Sequence, residues 1–216
     1  MRLAPEGRWF VLAAVMGLAG AAIVAWVAHL GWWLLLPGGW APVVLWIVWF
    51  FRDPDRNGPR GENLVLAPAD GRVVSIAAVD EPSFVRGPAH RISIFMNVFD
   101  VHVNRYPSDG EVAYRHYRPG KFVNATLDKA SEGNEQMSLG IRSARGPLLV
   151  RQIAGLIARR IVTDSSVGDR VRQGDRLGMI RFGSRLDTFV PRGATVTVGL
   201  GDRARAGLTI IAEWQS

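Results

Sequence analysis

The chain has 216 residues, 48% of them hydrophobic and 21% charged, with a formal charge of +7 and no cysteine. At roughly 100–200 residues per domain this is one globular domain with an attachment, and the lack of cysteine excludes disulfides, iron–sulfur clusters, Cys-ligated zinc and thiol catalysis. All but two of the 26 basic residues are arginine, so Lys121 and Lys129 are the only lysines able to form a Schiff base, and the soluble remainder is too small for a pyridoxal-phosphate fold.

The chain opens with an apolar run. From Trp9 to Phe51 there is no charged residue, and His29 is the only ionisable side chain. A spanning helix needs about 20 apolar residues, so this run is too long for one span and about right for two. It is also longer than the apolar stretch of a removable secretory signal. Arg2 and Arg8 precede it, and Arg52, Arg56 and Arg60 follow it. Basic flanks at both ends predict a helical hairpin over residues 1–51 with both termini in the cytoplasm. Its turn falls at His29-Leu30-Gly31 or at Pro37-Gly38-Gly39, with a re-entrant second half as the alternative to a second span. Trp26, Trp32, Trp33, Trp40, Trp46 and Trp49 suit the membrane interfaces. The segment 52–60, RDPDRNGPR, is a polar linker with two prolines and a glycine.

The soluble part, 52–216, reads as short strands. Arg72–Ile76, His90–Phe95 and Ala194–Val198 are rich in β-branched residues, with Pro and Gly recurring every ~8–12 residues. Gly-Asp at 168–169 and 174–175 and Ser-Asp-Gly at 108–110 are turn signals. Lys121–Met137 is polar and lacks alternation, as a loop with a short helix would. Periodicity leaves Leu148–Val162 open between strand and helix, and its composition leans to strand. APADGRVVSI (67–76) and VGDRVRQGDRLGMI (167–180) resemble the hammerhead turns of lipoyl and biotinyl domains, small flattened β-barrels. The predicted architecture is therefore a mainly β, barrel-sandwich-like domain behind an α-helical membrane hairpin. A carrier role needs a lysine in an exposed hairpin, which neither Lys121 nor Lys129 occupies.

The chemistry centres on Arg181-Phe182-Gly183-Ser184-Arg185. Glycine before serine leaves the intervening carbonyl unshielded and the backbone free to adopt dihedrals that other residues resist. The serine hydroxyl can then attack that carbonyl and replace the amide with an ester. β-Elimination of the ester releases a new carboxyl terminus and dehydroalanine, and hydrolysis leaves a pyruvoyl group and ammonia. A turn is the bland reading of Gly-Ser by itself.

Six segments, in order, carry a wider likeness: WFFRDPDR (49–56), NLVLAPADGRV (63–73), RISIFMNVFDVHVNRYP (91–107), DKASEGNEQ (128–136), QIAGLIARRIV (152–162) and GDRLGMIRFGSRLD (174–187). Together they resemble the short form of the phosphatidylserine decarboxylase family. The resemblance implies self-cleavage between Gly183 and Ser184 into a β-chain, 1–183, and an α-chain, 184–216, which stay associated. It implies a covalent pyruvoyl cofactor made from Ser184, whose ketone forms a Schiff base with the amine of phosphatidylserine and accepts electrons as carbon dioxide leaves. The product is phosphatidylethanolamine, made at the cytoplasmic face of the cell membrane.

Further roles follow residue by residue. An extended DVHVN would place Asp100, His102 and Asn104 on one face. His102 is the candidate proton carrier, with a second role in contacting the serine carboxylate, and Asn104 a candidate substrate ligand. Asp70 matches the aspartate of the family's P-x-D-G motif, which in longer relatives belongs to a Ser-His-Asp arrangement for self-cleavage; by its residues alone it is a turn residue before Gly71. Longer relatives carry a second histidine where this chain has Arg105, and arginine is not a base at physiological pH. Either His102 serves both steps, or strain and an ordered water suffice for cleavage, while Arg105 binds the lipid carboxylate or phosphate. Phe95, Met96, Val98 and Phe99 are candidates for a bilayer-facing lip, at least half of them as core. His90 and His116 read as ordinary surface or packing residues.

No metal-ligand spacing or phosphate loop is present. The sequence pI near 10.9 has a nucleic-acid reading, but no basic helix or aromatic platform accompanies it; anionic lipid is the expected partner of the juxtamembrane arginines. Oligomeric state and acyl-chain preference stay open. Two rival functions remain: a membrane-tethered, lipoyl-like adaptor without catalysis, and a pyruvoyl decarboxylase acting on another serine-headgroup lipid or on a soluble amino acid.

Overall fold

The apolar run folds as two helices, α1 (Arg8–Val27) and α2 (Leu35–Phe50). They belong to the computed structural model of the chain, which describes residues 2–28, 35–120, 133–155, 161–180 and 184–215. The 20 residues of α1 make it about 30 Å long at about 1.5 Å per residue. Among the described residues it is the one helix long and apolar enough to cross a bilayer, and α2 is shorter. Pro37-Gly38-Gly39 lies inside α2, with Pro37 in the first turn, where a missing N–H costs nothing; the other candidate turn, His29–Gly31, lies outside the described residues. Trp40 of α2 donates from Nε1 to the Ala14 carbonyl of α1 at 2.8 Å. A two-residue antiparallel pair, β1 (Arg2–Leu3) with β2 (Arg52–Asp53), closes the hairpin and brings its two basic ends together.

The chain divides into two units, Met1–Asp55 and Arg56–Ser216, within the linker segment. The second unit is built from β3 (Leu64–Leu66), β4 (Gly71–Glu81), β5 (Gly87–Met96), β6 (Val103–Arg105), β7 (Gly110–Arg118), β8 (Gln136–Arg142), β9 (Pro147–Ala154), β10 (Ile161–Thr163), β11 (Arg170–Val171), β12 (Arg176–Ile180), β13 (Ser184–Pro191), β14 (Ala194–Val196), β15 (Arg203–Ala204) and β16 (Ile210–Trp214). An eight-stranded sheet has the order β11-β7-β8-β9-β13-β5-β4-β15, and two three-stranded sheets have the orders β10-β12-β6 and β14-β16-β3. The fold is thus mainly β behind N-terminal helices. The strands expected at 72–76 and 90–95 lie in β4 and β5, the one expected at 194–198 is strand over 194–196 as β14, and within Leu148–Val162 residues 148–154 and 161–162 are strand. Gly168 and Gly174, at the Gly-Asp signals, take φ of 98° and 82°, a region side chains disfavour.

Alternation along β13 sorts its side chains. Leu186 and Val190 join Ile92, Ile94, Met96, Leu139, Val150, Leu177 and Ile211 in the main core, while Phe189 joins a second cluster with Ala89, Leu149, Phe84 and Tyr114 on the other side. Ser184, even-numbered like Leu186 and Val190, faces the main core.

The second cluster is pinned by Glu81 at the β4–β5 hairpin. Burial opposes its ionisation, but the amides of Ser83, Phe84 and Val85 all donate to its carboxylate and hold its pKa below the ordinary 4.5. A depressed carboxylate contributes stability above its unfolded pKa and loses it as pH falls through the folded value. Glu81→Gln is therefore expected to lower stability at neutral pH by about 1–3 kcal/mol, the range for hydrogen bonds to a charged group. Denaturant unfolding across a pH series should show the two proteins converging in acid.

Candidate active site

Ser184 is the first residue of β13, a central strand flanked along its length by β5 and β9. Its cross-strand partners are Met96 and Ala154. The preceding strand, β12, ends at Ile180 in a different sheet, so only residues 181–183 carry the chain from one sheet to the other. Gly183, the expected scissile partner, is among these three and lies outside the described residues. Ser184 is fully buried, and among the described residues its Oγ has no hydrogen-bond partner. A buried hydroxyl without a partner costs free energy; Ser93, Ser108 and Thr188 carry hydroxyls in the same state, and Ser184 is set apart from them by its place at the start of β13.

Asn104 of β6 approaches the same face from the three-stranded sheet. It is fully buried, and its Nδ2 donates to Met96 Sδ at 3.5 Å, beside Ser184. Its Oδ1 accepts from Gln152 Nε2 at 2.8 Å, and Gln152 Oε1 accepts from Thr163 Oγ1 at 3.2 Å. Gln152 lies on β9, two residues from Ala154 and on the same face. Gln152 and Thr163 were not selected from the sequence, although an amide inside the apolar LLVRQIAG was a signal that could have marked Gln152.

His102 sits just before β6 and is fully buried. β6 pairs with β12 through Asn104↔Gly178 and Val103↔Met179. Continued by one residue, that register sets His102 level with Ile180, at the mouth of the crossover to Ser184. Its Nδ1 lies 2.9 Å from the Asp100 carbonyl. A carbonyl only accepts, so Nδ1 carries the proton in this hydrogen bond.

Asp100 departs from the expected extended face. It ends a turn in which its amide donates to the Asn97 carbonyl, its Oδ2 accepts from the Asn97 amide and its Oδ1 from Arg203 Nη2 at 2.9 Å. Asn and Asp side chains that satisfy nearby amides favour such turns over strand. Within the expected lip, Met96 is fully buried, Phe95 and Val98 are half-buried, and Phe99, 65% exposed, stands out from the turn.

Asp70 and Arg105 lie elsewhere. Asp70 Oδ2 accepts from Arg56 Nη2 at 2.7 Å and Oδ1 from the Ala206 amide at 2.8 Å, so both oxygens are engaged and neither on a histidine. Its neighbour Gly71 allows a close approach: a Cβ there would lie 2.1 Å from the Phe95 carbonyl oxygen. Arg105 follows Asn104 on the strand and so faces the other way; its Nη1 donates to the Gly174 carbonyl at 3.0 Å. The structure therefore groups Ser184 with Met96, Asn104, Gln152 and Thr163, with His102 at the entrance. It holds Asp70 and Arg105 in an arginine-rich cluster with Arg56 and Arg60 around Gly174 and Gly207.

The opposite face of β13 carries a buried ion pair. Arg185 Nε and Nη2 lie 2.9 and 3.1 Å from the two oxygens of Asp187. Nearby, Arg151 lies over the Phe189 ring and 3.7 Å from Glu81. Among the described residues no cluster could hold a metal ion. Lys121 and Lys129 lie outside the described residues.

Comparison with known proteins fits this arrangement. Residues 43–212 match the family model described as phosphatidylserine decarboxylase. A protein of Symbiobacterium thermophilum, named phosphatidylserine decarboxylase proenzyme, is 48% identical over 97% of this chain and 94% of its own length. Proteins of the same name from Ruegeria pomeroyi and Beijerinckia indica are 48% and 49% identical over 98% of this chain, covering 94% and 89% of their own lengths.

Proposed function

This chain belongs to the phosphatidylserine decarboxylase family, and on that premise we propose that it decarboxylates phosphatidylserine to phosphatidylethanolamine after cutting itself between Gly183 and Ser184. The observation that carries this reading is Ser184: a fully buried hydroxyl with no hydrogen-bond partner among the described residues, at the first position of a central strand, three residues after a strand of another sheet ends. Ser184 Oγ is the attacking nucleophile, and His102, at the mouth of that passage, moves the protons. The pyruvoyl group made from Ser184 supplies a ketone that takes up the substrate amine and draws electrons from the bond to its carboxylate.

The surroundings of Ser184 suit such a group. Met96, Ala154 and Leu186 wall it with apolar surface and limit water, while Asn104 brings one amide donor. After cleavage, residues 184–216 would stay bound to 1–183 through the ladders of β13 with β5 and β9, β15 with β4, and β16 with β3. The clip from Asp70 to the Ala206 amide joins the same two chains. We assign Asp70 this positioning role, and Arg105, turned away from Ser184 and donating to the Gly174 carbonyl, a structural one in place of the headgroup contact expected from the sequence. The apolar helix α1 anchors the protein in the bilayer that holds its substrate, with the β domain on the cytoplasmic side, where the basic ends of the hairpin meet.

Intact-mass measurement of the purified protein tests this reading. The expected species are residues 1–183 and residues 184–216, the smaller without a free amine and labelled by borotritide. An unsplit chain that still releases carbon dioxide from phosphatidylserine would overturn it.

A further inference from the structure

Gln152 is fully buried on β9, whose other residues on the same face, Leu148, Val150 and Ala154, are apolar core. A buried amide is costly unless both of its ends are bonded, and here they are, to Asn104 and to Thr163. The consequence falls on Asn104. With its Oδ1 taken by Gln152, its Nδ2 must point the other way, towards Met96 Sδ at 3.5 Å. Thioether sulfur is a weak acceptor, and Met96 is the cross-strand partner of Ser184. The row Thr163–Gln152–Asn104 thus leaves an under-used amide donor beside a buried hydroxyl that has no hydrogen bond among the described residues.

We propose that Gln152 is a positioning residue for self-processing: it holds Asn104 so that Nδ2–H is delivered to Ser184 Oγ when the ester breaks. The inference rests on the self-cleavage proposed above. Attack by the hydroxyl moves the Gly183 acyl group from the Ser184 nitrogen to Oγ and leaves that nitrogen as an amine. In the elimination a base takes the proton from the Ser184 Cα. The C–H pair becomes the Cα=Cβ double bond, and the Cβ–Oγ pair departs on Oγ as part of the new Gly183 carboxylate. Negative charge grows on Oγ as this bond breaks. A donor already fixed towards it stabilises the transition state without reorganising.

Two variants reverse or remove the orientation. Gln152→Glu keeps the shape and, as the carboxylate at high pH, only accepts, so the Asn104 amide must then turn its Nδ2 away from Ser184. Gln152→Leu removes both bonds. In either, elimination is expected to slow about a hundredfold, the scale of losing one such donor, so that the protein accumulates as the ester. Neutral hydroxylamine should then split it into 1–183 ending in a hydroxamate and 184–216 beginning with a free serine amine, a product that a packing defect would not generate. Thr163→Val, at the partly exposed end of the row, should show the same product at a smaller, severalfold slowing and serves if the variants at 152 do not fold. Wild-type processing rates, or intact chains resistant to hydroxylamine, would overturn the role of Gln152. Failure of the wild-type protein to split at Gly183–Ser184 would instead overturn the self-cleavage reading, whatever the variants do.

Discussion

Ser184→Ala is expected to remain a single polypeptide and to lose decarboxylation by about a millionfold, the scale on which removing a nucleophile acts in other enzymes. Without Oγ there is no acyl shift, no ester and no elimination, so neither the cut nor the ketone can form. The fold should not suffer. Ser184 is fully buried and its hydroxyl has no partner among the described residues, so deleting it relieves a desolvation cost rather than breaking a bond. The alanine protein should therefore unfold at the same temperature as an unprocessed wild-type chain, or slightly higher. That pairing of total functional loss with unchanged or raised stability separates a chemical role for Ser184 from a structural one. A processed, active alanine protein would contradict the assignment. Electrophoresis, intact mass and release of labelled carbon dioxide from carboxyl-labelled phosphatidylserine measure all of it.

The elements that announced themselves in the sequence were those governed by local physics. Gly168 and Gly174 marked their turns because only glycine is comfortable at the φ those turns take. The β-branched run from His90 to Phe95 announced a strand, and β5 contains it. At Pro37-Gly38-Gly39 the same punctuation sits inside α2. Pro37 falls in a helix's first turn, where proline is tolerated, and in an apolar setting the backbone must bond to itself.

The site was legible only in part, because its partners are set by strand register. Asn104 and Gln152 are 48 residues apart and meet only because β6 and β9 belong to sheets that face each other across one core. Nothing near Gln152 in the chain reports that. Asp70 shows the reverse case: its motif was plain, but its partners, Arg56 from the linker and the Ala206 amide from the C-terminal segment, are remote in sequence. Asp100 was placed with His102 by alternation, and the turn at Asn97–Asp100 breaks that alternation before β6 begins. The contact that survives is between backbone and ring, from the Asp100 carbonyl to His102 Nδ1, which a pattern of side chains does not reveal.

His102→Gln is expected to lower kcat for decarboxylation by about 10²–10⁴-fold, the range for a positioned proton carrier, with little change in KM. Glutamine retains an amide N–H for the Asp100 carbonyl, so the turn and β6 should keep their places, and the loss falls on proton transfer. Of the residues selected from the sequence, His102 is the one side chain at the crossover that can both give and take a proton near neutral pH. Asp100 is committed to Arg203, Asp70 to Arg56, and Asn104 to Gln152. On the proposed reading that His102 moves the protons of both steps, the same variant should also slow self-cleavage. The stepwise consequences can be read apart. Once carbon dioxide has left, a proton must reach the substrate carbon. If it goes instead to the carbon derived from the Ser184 Cα, the nitrogen stays with the protein and the small chain begins with alanine. His102→Gln should therefore lose activity progressively during turnover, with alanine appearing at the start of 184–216 by sequential degradation. Steady turnover at the wild-type rate, with the small chain still blocked, would remove His102 from the mechanism.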